Sequence, residues 1–301
     1  MCDDFDLPAF DEIGRQVHDA FFRSILSDPA RSESLIRAHW PEQLRWMLEG
    51  ERLRTLDSAL VRSDLSQRRT DALFLVGGEG QRPKAVSLPE HKFRAEQRTP
   101  GQIAGYRRSV WEGCHFTNWP WLVPIVIYTG EGRWTVPGAI DESRADQWEI
   151  LPQMQREEGY FLRRTRAIDY ERLSCEPVSR AMLGMMGLAG RRPYPRDELR
   201  RMWREDAAGR VVGETLLRQF LHFVLATSAL SREELLELAL ETGLVNQEVK
   251  MNVIIQPLIL DAFKEGVSEG VERGFSKGRS EGRSEGMSAL LLSLVRERFG
   301  P

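Results

Sequence analysis

Asp71, Glu90 and Lys92 are the residues of this chain whose types and spacing fit a chemical step. Asp71 opens the apolar run Ala72 to Val76, and Glu90 and Lys92 close a second run that begins at Lys84. Between the runs Gly77, Gly78 and Gly80 supply the left-handed backbone positions of a tight connection, so the stretch reads as a β-hairpin. Successive strand side chains alternate faces. Val86, Leu88, Glu90 and Lys92 therefore share one face, and Ala85, Ser87, Pro89, His91 and Phe93 the other. A carboxylate from each strand can hold a hard divalent cation through oxygen, with the main-chain carbonyl of His91 as a further ligand. Lys92 would then orient or help deprotonate the attacking water and balance negative charge, an arrangement that suits phosphodiester hydrolysis. The same residue types would equally make an exposed strand face with one salt bridge. Pro89 cannot donate to a ladder, which a bulge would accommodate.

The flanking elements follow from periodicity. Ile13, Val17, Phe21, Phe22 and Ile25 have helical spacing from Glu12 to Leu26, ended by Asp28-Pro29. Asp19 on that helix is either a third acid over the metal or a surface aspartate, with His18 packing nearby. A second helix is expected from Ser32 to Leu48, remodelled near Trp40-Pro41, and a first strand within Arg52 to Leu60. Asp57 and Asp64 rank below Asp71 because neither adjoins so clear a β run. Thr99-Pro100-Gly101-Gln102 reads as a helix start with a capping box, the helix continuing to about Glu112. Trp121 to Tyr128 is a continuous apolar run that suits a strand buried on both faces. The order is α-β-β-β-α-β. Loop is expected from Asp141 to Glu157 and a further strand from Gly159 to Ile168. Helices are expected from Leu216 to Thr227, after a capping box at Ser231 to Glu234, and from Val249 to Phe263.

At the hairpin and beyond it, the sequence resembles the PD-(D/E)xK nuclease superfamily, and more closely the recombination-promoting nucleases, or YhgA-like putative transposases. The segments that carry the likeness are His18 to Arg23, Arg68 to Phe74, Pro89-Glu90-His91-Lys92, Tyr106 to Trp111, Pro124 to Gly130 and the glycine-punctuated tail. The resemblance implies a restriction-endonuclease-like core with a helical C-terminal region, Mg2+ or another divalent cation such as Ca2+ or Mn2+, and DNA cleavage linked to recombination or mobile elements. It matches Asp71 and Glu90 to the two acids and Lys92 to the last position of the acid-x-lysine motif. Many members carry glutamine there, so Lys92 restores the superfamily's usual residue. Gln102 and Tyr106, one helical turn apart, match a pattern that superfamily branches place beside the metal, Gln102 holding a site residue or phosphate and Tyr106 positioning the DNA backbone.

The chain of 301 residues, 41% hydrophobic and with eight tryptophans, can fill a sizeable core. Its expected division is a nuclease-like domain at 1–170, a helical region at 171–264 and a glycine-repeat tail at 265–301. A net charge of −3 excludes DNA binding through bulk positive charge and leaves local arginines, among them Arg62, Arg68, Arg69, Arg94, Arg98, Arg107 and Arg108. The arginine-rich stretch from Arg191 to Arg210 fits DNA contact or solvated helix faces equally. Trp111, Trp119, Trp121 and Trp134 read as core packing rather than base stacking. Three cysteines without metal-ligand spacing, an N-terminus without a signal pattern and no long apolar run lead to the expectation of a cytoplasmic protein that does not enter a membrane. Gly266, Gly270, Gly274, Gly278, Gly282 and Gly286 recur every fourth residue. At about 1 kcal/mol lost per glycine an isolated helix would be marginal, so the tail reads either as a helix whose glycine stripe pairs with a second copy or another partner, or equally as a flexible polar linker to Met287 to Phe299. The competing view of the whole chain is a non-catalytic, oligomerising interaction protein on a nuclease-like scaffold.

Overall fold

In the computed structural model, which describes residues 8–56, 72–77, 83–113, 120–142, 147–154, 156, 158–189, 191, 193–207 and 214–245, two helices precede the sheet. Helix α1 spans Pro8–Leu26 and α2 spans Pro29–His39, followed by a 3-10 segment at Glu42–Met47. The break falls at Trp40-Pro41, as the proline requires. Asp28 caps α2 by accepting from the Arg31 N–H at 2.9 Å, with Pro29 in the first turn. Strands β1 (Leu53–Leu56), β2 (Leu73–Val76) and β3 (Ala85–Lys92) come next, then α3 (Thr99–Gly113) and β4 (Trp121–Tyr128). Helix α4 (Gln147–Met154) and β5 (Phe161–Arg164) complete the sheet region. Four helices follow: α5 (Pro177–Leu188), α6 (Arg196–Met202), α7 (Glu214–Thr227) and α8 (Arg232–Glu241). The expected capping box forms at α8, where Ser231 and Glu234 bond reciprocally.

The five strands lie in the order β1-β2-β3-β4-β5, the first two pairings antiparallel and the last two parallel. The fold is thus mixed α/β. The hairpin is present, with Phe74 opposite Ser87, and Gly77 takes the positive φ of 77° that its turn needs. Gly78, Gly80 and Asp71 lie outside the described residues. No bulge interrupts the β3–β4 ladder at Pro89, which registers with Ile125. The Lys84 and Lys92 carbonyls both accept from the β4 side. Even-numbered residues of β3 therefore turn their backbone to β4, and Pro89 turns its missing N–H the other way, beyond the last β2 pair.

β3 is buried along its whole length, and its two faces enter different packings. Val86 and Leu88 join Ile103, Tyr106 and Val110 of α3 in an apolar cluster with Leu122, Val126 and Tyr160. Trp111 and Trp134 pack against this cluster, and the Trp134 indole donates to the Tyr160 hydroxyl at 3.0 Å, so both serve the core. Trp119 lies outside the described residues. On the other face α1 brings His18 and Phe22 to His91, with ring centroids 5.7 and 5.2 Å away, and His18 stacks on Phe93 at 4.3 Å. Phe223 of α7 backs both His18 and Phe21. Helix α5 also touches α1 and α2, and Met1–Leu244 forms one compact unit.

One expected loop is a helix. Within 141–157, α4 forms because Ile150 and Met154, four apart, are fully buried while Pro152 between them is exposed. Its flanking charge conceals this short amphipathic pattern. Arg191 pairs with Glu131, Arg196 with Glu234, Arg200 with Asp197 and Glu241, and Arg201 with Glu171, while Arg192 lies outside the described residues. No helix among the described residues is long and apolar enough to cross a membrane. The segment Val249 to Phe263 and the glycine repeats lie outside the described residues.

Two measurements test this packing. A Cβ on Gly130 would collide with the Phe93 carbonyl and lie 2.7 Å from the Tyr128 ring, so Gly130→Ala should lower stability by about 1–3 kcal/mol, read as a lower urea midpoint at constant slope. Burial holds the His18 imidazole down from 6.5 to about 3. Between those values the unfolded chain binds more protons, so this contribution is whole above about pH 6.5 and is lost as pH falls toward 3. His39, held down to about 4, and His91 act in the same direction. His18→Phe should keep the ring packing and make the loss of stability between pH 7 and 5 shallower than in the wild type.

Candidate active site

The alternation of β3 carries Glu90 and Lys92 onto the face covered by α3, at the end of the strand. Both are nearly enclosed, with side chains 8% and 9% exposed. The Lys92 ammonium lies 3.0 Å from Glu90 Oε1 and donates to Gln102 Oε1 at 2.9 Å. Glu96 Oε2 stands 3.6 Å from the same nitrogen and accepts from the Arg98 Nε at 2.9 Å. Lys92 is therefore the hub of the group.

Glu90 is under electrostatic tension. Burial pushes its carboxyl up, Lys92 opposes this, and the nearby charges of Asp19 and Glu96 push it up further. Its second oxygen, Oε2, is buried and has no hydrogen-bond partner among the described residues. Asp19, half-buried on α1, thus acts on Glu90 through its charge. Such a carboxylate calls for either a proton or a further positive charge.

Gln102 does not fill the capping role expected of it. Its N–H bonds to the Arg98 carbonyl and the Thr99 N–H to the Glu96 carbonyl, so Thr99 lies inside the first turn instead of capping it. The Thr99 hydroxyl is buried and unbonded. The Gln102 side chain is thereby released to reach Lys92, a contact between residues ten apart that outcompetes the local one.

Other expected residues fall as follows. The His91 ring belongs to the opposite face, its Nε2 2.9 Å from Thr129 Oγ1, leaving the main-chain carbonyl as the group assigned to the site. Tyr106, only 5% exposed, stands among the apolar residues beneath the site. Arg94, Arg98 and Arg108 are exposed. Arg107 is buried and donates to the Gly159 carbonyl, so it supports the core and presents nothing to a ligand. Arg62, Arg68, Arg69 and Asp71 lie outside the described residues. Among those described, no three His, Cys, Asp or Glu side chains converge as a metal cage. Glu96 was missed in the sequence. Its only signal there is an acid placed four residues after Lys92 between two arginines.

No curated protein and no solved structure is significantly similar to the chain. The family model described as "Putative transposase, YhgA-like" matches residues 16–165, the stretch from α1 through β5 that builds the whole sheet and holds Asp19, Asp71, Glu90, Lys92, Glu96 and Gln102.

Proposed function

We propose that this protein is a divalent-metal-dependent DNA endonuclease of the PD-(D/E)xK kind, with a restriction-endonuclease-like core, acting in recombination or on mobile elements. The observation that carries the reading is the Lys92 ammonium shared by Glu90 and Gln102 at the end of a buried strand, beside a Glu90 oxygen left without a partner. An ion pair kept only for stability would be expected to satisfy both carboxylate oxygens, because an unpaired buried one is costly. The family match supports a DNA-related role in mobile elements, and the α2-β1-β2-β3-α3-β4 succession is the order such a core requires.

The residues present fit a hard cation. The unpartnered Glu90 Oε2 is a candidate ligand, and the carboxylates of Asp19, Glu90 and Glu96 outweigh the single Lys92 ammonium among them. Asp71 stands three residues before Phe74, as Glu90 stands three after its partner Ser87 in the hairpin register. Asp71, Glu90 and the His91 carbonyl would hold Mg2+, Mn2+ or Ca2+. When bound, the ion polarises the phosphate and makes its water more acidic. Lys92 orients that water and neutralises charge building on the phosphate oxygens. Gln102 and Glu90 fix the ammonium in place, so little reorganisation is needed when substrate arrives. Exposed Arg94, Arg98 and Arg108 supply local positive charge for the DNA backbone despite the net −3 of the chain.

Plasmid nicking with Mg2+ or Mn2+ tests this. Asp71→Ala, Glu90→Gln and Lys92→Gln should each lose about a hundredfold or more while unfolding in urea like folded proteins. Mn2+ should raise the melting temperature of the wild type and not of Glu90→Gln. Equal activity in the wild type and all three variants, or none in the wild type with either ion, rejects the reading.

A further inference from the structure

We infer that Glu96 is a positioning residue of this site, holding the Lys92 ammonium against Glu90 and Gln102 and itself held by Arg98. The inference rests on the nuclease reading for its effect on turnover, but the contact stands on the geometry alone.

Lys92 has three N–H groups. Two are taken up by Glu90 at 3.0 Å and Gln102 at 2.9 Å, and Glu96 Oε2 at 3.6 Å supplies a third neighbour, the second negative one after Glu90. Glu96 is itself largely enclosed, at 17% exposure, so water does not screen this charge as it would at an open surface. The same Oε2 accepts from Arg98, whose side chain is 59% exposed. A carboxylate serving Arg98 alone would have no need to turn inward. Glu96 also fixes the backbone: its carbonyl accepts from the Thr99 N–H at 2.9 Å and so begins the helix that carries Gln102. Glu96 thus ties the start of α3, the helix that carries Gln102, to Lys92 at the end of β3. A lysine stem has four rotatable bonds, and a third neighbour narrows the positions its ammonium can take.

The test uses the full chain, whose five lysines give a short set of ammonium signals in 15N NMR, Lys92 being assigned by its loss in Lys92→Arg. Glu96→Gln keeps the size of the side chain and removes its charge. It should move the Lys92 signal and lower kcat for plasmid nicking by about tenfold to a hundredfold, with KM within about twofold. Glu96→Asp should recover part of the turnover. An unmoved Lys92 signal overturns the inference whatever the activity, and a moved signal with unchanged kcat overturns the positioning role. If the wild type cleaves no DNA, the nuclease reading falls, and the NMR result alone decides whether Glu96 holds Lys92.

Discussion

Taking Glu90 and Lys92 out of water together is the constraint around which the sheet is arranged. Burying each ion costs several kcal/mol, and their mutual attraction repays this only when the geometry is good and the remaining polar atoms are satisfied. Here the 3.0 Å contact, the Gln102 amide and the Glu96 carboxylate supply much of that compensation, yet one Glu90 oxygen is left over. An apolar pair of similar volume would stabilise the end of β3 at least as well. A buried pair with an unmet valence therefore makes more sense as a group prepared to take something than as a brace.

The arrangement depends on strand register. A slip of one residue would send Glu90 and Lys92 into the aromatic packing of α1 and α7, and put Pro89 and His91 beneath α3. Eight consecutive pairs with β4 hold the register on one side, and the short antiparallel pairing with β2 holds it on the other. The two faces reinforce it chemically. Val86 and Leu88 belong in the cluster built by Ile103, Tyr106 and Val110, whereas His91 finds Thr129 and the rings of His18 and Phe22. Neither set would be content on the other side.

This explains which features were legible in the sequence. The face shared by Glu90 and Lys92 could be read because a strand's alternation is local, and β4 because its apolar run is uninterrupted by charge. Gln102 has two roles in the sequence, a helix cap from the local pattern and a hold on a site residue or phosphate from the resemblance, and it is the approach of α3 to the end of β3 that brings Lys92 within its reach. Glu96 was hidden likewise, since its meaning comes from a lysine that the intervening loop folds back upon. Arg191 and Arg201 fit DNA contact or a solvated face equally by sequence, because their carboxylate partners, Glu131 and Glu171, lie sixty and thirty residues earlier in the chain.

The histidine stack gives the site its electrical background. His91 shares a strand with Glu90 and Lys92, and His18 adjoins Asp19, so a proton on either ring would place a positive charge next to the carboxylates. Burial forbids this near neutral pH, and His91 is further discouraged by the nearness of His18 and Lys92. The charge at the end of β3 is thereby left to Asp19, Glu90, Glu96 and Lys92, with the exposed Arg98 at its margin. A neutral aromatic backing leaves the carboxylates in excess of the ammonium at this end of the strand. Two imidazoles placed so close to an acidic centre, but kept from titrating, are consistent with a packing whose first effect is to leave that centre negative.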